Sequence, residues 1–189
     1  MATKISQPGH VIIISGPPGA GTTTIAKAVA KHFGMDFFST GDIFRKVAKE
    51  RNLQVAKLSG IAEQEVDWEV DNKCKLVAQK GNVVIESDIA AWYVDGAIKI
   101  WLDAPLMVRA ERVFKDIKRV AERYKNLAEV VKKIKERRDR DRDRYMQRYG
   151  YNVDDTSIYD YKIDTEFLGM REVINTVIGY VAKRLKTPK

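Results

Sequence analysis

At 189 residues the chain is long enough for one sizeable core, and an apolar share of 44% with 9% aromatics excludes wholesale disorder. The net charge is +8 with 32% charged residues, and no apolar run approaches the roughly 18 residues of a membrane span. The single cysteine, Cys74, excludes an intramolecular disulfide and a multi-cysteine metal site and fits a reducing, cytoplasmic setting, while His10 and His32 lack metal-ligand spacing.

Taken in chain order, MATKISQPGH has no apolar signal segment and is expected to form a flexible leader over residues 1–9. HVIIIS (His10 to Ser15) reads as a buried strand by its β-branched run and the glycine after it. Thr22 to Phe33 has helical periodicity, with Ile25, Ala26, Val29, Ala30 and Phe33 on one face and Gly34 closing it. Asp36 to Ser39 is a short second strand. Helices are expected over Thr40 to Arg51 and Gly60 to Lys80, a third strand over Asn82 to Ser87 and a fourth over Ala97 to Asp103. Pro105 opens a helix at its first turn, and from there to about Arg148 the chain reads as helical and increasingly charged. Tyr159 to Thr165 is the fifth strand and Met170 to Lys186 the closing helix. Apolar strands separated by helices predict an α/β fold with a parallel sheet covered on both faces and helical excursions after strands two and four.

Between the first strand and its helix lies SGPPGAGTTT. The phosphate-loop pattern is G-x-x-x-x-G-K-[ST]; Gly16 and Gly21 hold its spacing, Thr23 fills the hydroxyl position, and Thr22 stands in place of the lysine. Small residues let backbone N–H groups approach an anion, and the helix N-terminus adds partial positive charge, so the chemistry survives without the lysine. Gly16, Pro17, Pro18, Gly19, Ala20, Gly21, Thr22, Thr23 and Thr24 are therefore candidate ATP-binding residues, with Thr23 placed to meet Mg²⁺. Lys27, one turn further on, is not expected to reach back over the loop. Glu86, at the end of VVIE, can hold Mg²⁺ through water, the task of the acidic residue beside such loops.

Two basic features complete the set. STGDIFR (Ser39 to Arg45) follows the second strand; Asp42 is expected to cap its helix, and Arg45 carries a planar fork suited to a phosphate. From Lys132 to Arg148 nine Lys or Arg face four acids, an excess of five that points to an anionic ligand. Within ERRDRDRDRY, helical geometry gathers Arg137, Arg140, Asp141 and Arg144 on one side and Arg138 and Arg142 on another. Arginines converging on a transferring phosphoryl group supply the charge stabilisation this chemistry needs.

STGDIFR resembles the acceptor segment of adenylate kinases, which implies that Thr40 and Gly41 lie near the acceptor nucleotide and that Arg45 aims its fork at the acceptor phosphate. Taken with GPPGAGTTT, IKIWLDAPLMVRAERV and RYMQRYGYNVDDTSIYDYKIDT, the whole sequence resembles the archaeal type of cytidylate kinase from about Val11 to the last helix. That resemblance implies the nucleoside monophosphate kinase fold: a five-stranded parallel core over residues 10–189, an acceptor-binding helical insertion at about 40–81 and a mobile lid at about 136–149. It implies transfer of the γ-phosphoryl group of ATP, with Mg²⁺, to CMP and dCMP by a monomer that binds neither membrane nor nucleic acid. Arg137, Asp141 and Arg144 match an R-x-x-x-D-x-x-R arrangement around the acceptor, with Arg140 and Arg142 as phosphate contacts; Arg112 resembles an arginine stacked on the ATP base.

One stretch departs from the pattern. Where the family shows E-G-R-x-A-G-W, this chain reads ESDIAAW, with Ser87 for glycine and Asp88 for the acceptor-binding arginine. Trp92 reads as core or pocket wall. The alternatives are an AMP or UMP kinase, and a P-loop NTPase or nucleic-acid-binding protein using the basic helix. Aspartates interleaved with the arginines, and no aromatic stacking platform, speak against the latter.

Overall fold

A computed structural model describes residues 9–51, 60–116 and 124–186. Residues 1–8 of the expected leader and 52–59 of the expected insertion lie outside the described residues. Five parallel strands, β1 (Val11–Ser15), β2 (Asp36–Ser39), β3 (Val83–Glu86), β4 (Ile98–Asp103) and β5 (Tyr161–Asp164), form one sheet in the order β2-β3-β1-β4-β5. β1 takes the centre because its side chains are apolar on both faces, the pattern a doubly covered strand demands.

Alternation along the strands divides the core into two layers. Ile12, Ile14, Val84, Ile100 and Leu102 pack against α1 (Thr22–Phe33) and α7 (Met170–Lys186), including Val29 and Val177. Ile13, Val83, Ile85 and Trp101 face the other way, onto Cys74 of α3 (Gly60–Lys80), Ala90 and Ala91 of α4 (Ala90–Tyr93), and Tyr159. Each fully buried Ile or Leu contributes about 1.5–3 kcal/mol by leaving water, so both layers are needed to hold the sheet. Two satellite clusters serve the helical excursions. Val47 of α2 (Thr40–Glu50) packs on Val66 and Val70 of α3. Ala110 and Val113 of α5 (Leu106–Lys115) pack on Val130 and Ile134 of α6 (Leu127–Tyr149).

The register brings the C-terminal ends of the strands level: Ser39 pairs with Glu86, Ile14 with Glu86, and Ser15 with Trp101. Chemistry-bearing residues of three strands thus lie along one edge, beside the loop that opens α1.

The structure differs from the expected elements in four places. Four strands are shorter than expected, since Ser87 at the end of β3 turns its carbonyl to the Ser15 hydroxyl, and Asn82 at its start has a left-handed φ of 53°. Pro105 precedes α5 as its cap residue instead of sitting inside its first turn. The long charged run is two helices, because Asn126 accepts a hydrogen bond from Glu129 N at 2.9 Å and starts α6 afresh. α4, a single turn, is too short for periodicity to signal.

Candidate active site

Glu86 is the point on which the site converges. Its Oε1 accepts hydrogen bonds from the hydroxyls of Thr22 and Thr23, each at 2.9 Å, and its Oε2 accepts from Ser39 Oγ at 2.5 Å. The glycine loop, the first turn of α1 and the end of β2 are thereby tied to the end of β3. Thr40 Oγ1 adds a bond to the Glu86 carbonyl at 3.3 Å. Thr22 therefore has a task of its own in the lysine's position: it orients the carboxylate. Neither the Thr22 nor the Ser39 contact is visible in the sequence, since Ser39 and Glu86 are 47 residues apart.

The loop is held from below. Gly16 lies so close to β4 that an added Cβ would meet the Leu102 carbonyl oxygen at 2.3 Å, and Gly21 has a φ of 94° that favours glycine. Ala20 N donates to the Pro17 carbonyl at 3.0 Å, and Arg109 of α5 reaches up to donate to the Pro18 carbonyl at 3.0 Å and, through Nε, to Ala104 O at 2.8 Å. Gly19 packs on the Arg109 backbone. Arg109 is thus a strut under the loop that local sequence does not reveal. Thr24 is exposed at the start of α1, and Met170 of α7 approaches Gly21. Lys27 lies over the Phe37 ring, 5.3 Å from its centroid, and takes no part in the loop, as expected.

Arg112 is tied to the end of β5: Nη1 donates to Thr165 Oγ1 at 2.8 Å and Nη2 to the Thr165 carbonyl at 2.5 Å, while Thr165 itself donates to the Asp103 carbonyl. The edge of its guanidinium is used in structure.

At the opposite side α2 begins at Thr40 and Gly41. Asp42 does not cap it. Ser39 does, accepting from Asp42 N at 3.2 Å, because the chain leaves β2 in an extended conformation at Ser39 (φ −119°), the backbone a cap requires. Asp42 instead pairs with Arg45 at 2.5 Å, with both side chains about half exposed.

α6 sorts its arginines by partner. Asp141 is buried and receives Arg137 at 3.7 Å and Arg144 at 3.2 Å. Arg144 also reaches Asp67 of α3 at 3.8 Å, donates to the Tyr145 hydroxyl at 2.9 Å and lies over the rings of Phe44 and Tyr145. Arg148 pairs with the same Asp67. Arg140 is exposed and lines an open cleft of about 900 Å³ with Gln64, Arg144 and Gln147. Arg142 stands on another flank among Asp139, Asp143 and Asp154, so the structure brings Arg137, Asp141 and Arg144 together and leaves Arg140 and Arg142 outside that contact. Arg138, which the sequence does not single out, is drawn inward to Asp154 and Trp101.

Asp88 follows Glu86 on the way to α4 and is half-buried. Burial pushes its carboxyl up to about 6; Arg138 and then Arg137 oppose this, while Asp141 and Glu86 add to it. Trp92 is partly buried and stacked on Tyr151 with ring centroids 5.3 Å apart, and Tyr151 stacks in turn on Tyr149 of α6 at 5.7 Å. The Tyr149 hydroxyl donates to Asp71 of α3 at 2.5 Å, which joins the end of α6 to α3.

Residues 15–148 match the protein family described as "AAA domain". Among curated proteins, the chain is 44% identical to the cytidylate kinase of Pyrococcus horikoshii over 158 residues, 82% of this chain and 79% of that one. It is 39% identical to the cytidylate kinase of Staphylothermus marinus, covering 93% of this chain and 98% of the other, and 39% identical to that of Methanocaldococcus jannaschii, covering 88% and 94%. Among solved structures, shikimate kinase from Acinetobacter baumannii superposes with a TM-score of 0.58 at 15% identity, covering 95% of this chain and 96% of that one. An uncharacterized protein from Eubacterium ventriosum superposes with a TM-score of 0.65 at 15% identity, over 93% of this chain and 99% of the other. At these identities the structural likeness concerns the fold, a P-loop kinase sheet.

Proposed function

The chain belongs to the cytidylate kinase family, and from that premise we propose that it transfers the γ-phosphoryl group of ATP to CMP, and to dCMP, giving the diphosphate and ADP. The observation that carries this reading is the convergence of both loop hydroxyls and Ser39 on Glu86, together with the Arg137–Asp141–Arg144 contact on α6. One side cradles a donor phosphate, and the other offers charge and hydrogen-bonding to an acceptor.

The backbone N–H groups of Gly19, Gly21, Thr22, Thr23 and Thr24, at the start of α1, bind the donor phosphates, the two prolines offering none. Hydroxyl and carboxylate oxygens suit Mg²⁺, and Thr23 and Glu86, already in contact at 2.9 Å, are the residues that would hold it. Bound there, the metal would supply positive charge to offset that of the phosphates. Arg112, edge-bound to Thr165, keeps a planar face for the adenine. Thr40, Gly41 and Arg45 border the acceptor, and Asp141 and Arg144 orient it, while Arg142 stays on the flank.

No general base is needed, because the attacking phosphate oxygen of the acceptor is already an anion. What this chain contributes is alignment, positive charge and exclusion of water, so that ATP is not hydrolysed. Arg137 pairs with Asp141, and Arg144 with Asp141 and Asp67; closure of a lid at 136–149 would turn them, with Arg140, toward the transferring group. Incubation with ATP, Mg²⁺ and CMP, followed by chromatographic separation of nucleotides, tests the reading. CDP and ADP in equal amounts are expected, and ADP without CDP would overturn it.

A further inference from the structure

The glycine loop has few backbone donors to spare, and one of them is aimed from outside the loop. Pro17 and Pro18 carry no N–H. The Ala20 N–H is used within the loop, donated to the Pro17 carbonyl at 3.0 Å. The Gly19 N–H makes no hydrogen bond among the described residues. Of the residues between Gly16 and Gly21, Gly19 therefore keeps an N–H for an anion.

Arg109 of α5 decides where that N–H points. Its Nη1 donates to the Pro18 carbonyl at 3.0 Å and its Nε to the Ala104 carbonyl at 2.8 Å. The Pro18 carbonyl and the Gly19 N–H belong to one planar trans peptide, in which the two groups point in opposite directions. A carbonyl held toward α5 turns the N–H away from α5. A hydrogen bond from a cation to the carbonyl also polarises the peptide, which makes the N–H a stronger donor. The seat is close: a Cβ on Gly19 would meet the Arg109 carbonyl oxygen at 2.8 Å, and Gly19 has a φ of 90°.

Arg109 is itself held in place. Arg112, one turn further along α5, is bonded to Thr165 at 2.8 Å, and Ala110 and Val113 pack on Val130 and Ile134 of α6. The guanidinium is thus placed before any ligand arrives. Thr22 stands where the phosphate-loop pattern has its lysine, and Lys27 is turned to the Phe37 ring. Arg109 is a cation bonded directly to the loop.

We propose that Arg109 is a positioning residue for the phosphoryl donor: by holding the Pro18 carbonyl it aims the Gly19 N–H at the donor phosphates, and it brings beneath the loop a positive charge that Thr22 does not supply. The inference rests on the reading of this loop as the ATP site.

Arg109→Met keeps the reach of the stem and removes the donors and the charge. The KM for ATP is expected to rise by about tenfold, the loss of one charge-assisted hydrogen bond, while the calorimetric affinity for CMP stays unchanged. Arg109→Lys keeps the charge and can still donate to one carbonyl, and is expected to bring the KM for ATP back to within about threefold of the unmodified protein. A purely structural role would not separate ATP from CMP. A further measurement uses the unmodified protein and does not depend on the folding of either variant. In amide NMR spectra the Gly19 proton is expected to move downfield on addition of ATP and Mg²⁺, as an N–H that gains a charged acceptor does. An unchanged KM for ATP in Arg109→Met, equal weakening of ATP and CMP, or no rescue by lysine would each overturn the proposal. So would a Gly19 resonance that stays in place while those of Gly21 and Thr23 move. If ATP moves none of the amides from Gly16 to Thr24, the reading of the loop as the donor site fails instead.

Discussion

Thr22 donates its hydroxyl to Glu86 Oε1 at 2.9 Å, and Thr23 does the same to the same oxygen. The residue in the lysine's position is thereby part of the carboxylate's support. Thr22→Val removes one of three side-chain hydrogen bonds to Glu86 while keeping size and branching. Stability is expected to fall by about 1 kcal/mol and kcat/KM by about fivefold, measured by denaturant unfolding and steady-state kinetics. Unchanged kinetics would mean that Thr23 and Ser39 suffice to orient Glu86.

Glu86→Gln keeps the shape of the hub and removes its charge. On the proposal that Glu86 helps to hold Mg²⁺, turnover is expected to drop by about a hundredfold with a raised Mg²⁺ requirement. A Mg²⁺ titration of activity reads this directly. An unaltered metal dependence would place the metal elsewhere.

How much of this could be read beforehand depends on distance along the chain. The strand–loop–helix around SGPPGAGTTT was legible, because the spacing of Gly16 and Gly21 and the periodicity of α1 are local. The strands were legible as apolar runs. The division of the arginines between 137 and 148 was only partly so. In a repeating Arg-Asp run every arginine has the same neighbours, and only distant partners such as Trp101, Val153 and Asp67 separate Arg138 and Arg148 from Arg142. The capping of α2 was misplaced for a related reason. Ser39 and Asp42 are both good cap residues, and the choice is made by where β2 ends.

Arg144 pairs with Asp67 of α3 and with Asp141 of its own helix, and is proposed to act on the transferring group as well. Arg144→Ala is expected to lower turnover by about a hundredfold or more, as loss of a transition-state charge does. It is also expected to cost about 2 kcal/mol of stability, because two buried carboxylates lose a partner while Arg148 and Arg137 remain. Turnover within twofold of the unmodified enzyme would remove Arg144 from the mechanism, whatever the change in stability.

The contact between α3 and the end of α6 has a pH signature. Burial raises the Asp71 carboxyl above the ordinary aspartate range, and the hydrogen bond from Tyr149 only partly offsets this. An acid whose folded pKa lies above its unfolded one destabilises the fold while ionised, and that cost disappears as pH falls through the folded value. Asp71→Asn keeps an oxygen to accept from Tyr149 and carries no charge. Its stability relative to the unmodified protein is therefore expected to be highest at neutral pH and to decline as the pH is lowered toward the ordinary aspartate range. Denaturant unfolding at pH 7 and at pH 4.5 measures the difference. A gap that stays constant, or widens on acidification, would contradict the assignment.

The central claim is phosphoryl transfer to a cytidine monophosphate. It is tested most directly by following ADP release from ATP and Mg²⁺ with CMP, dCMP, UMP, AMP and GMP in parallel. The highest kcat/KM is expected with CMP, dCMP next, and the other three lower by about tenfold or more, the discrimination expected of hydrogen-bonded base recognition. Release that no nucleotide raises above the ATP hydrolysis background would contradict it.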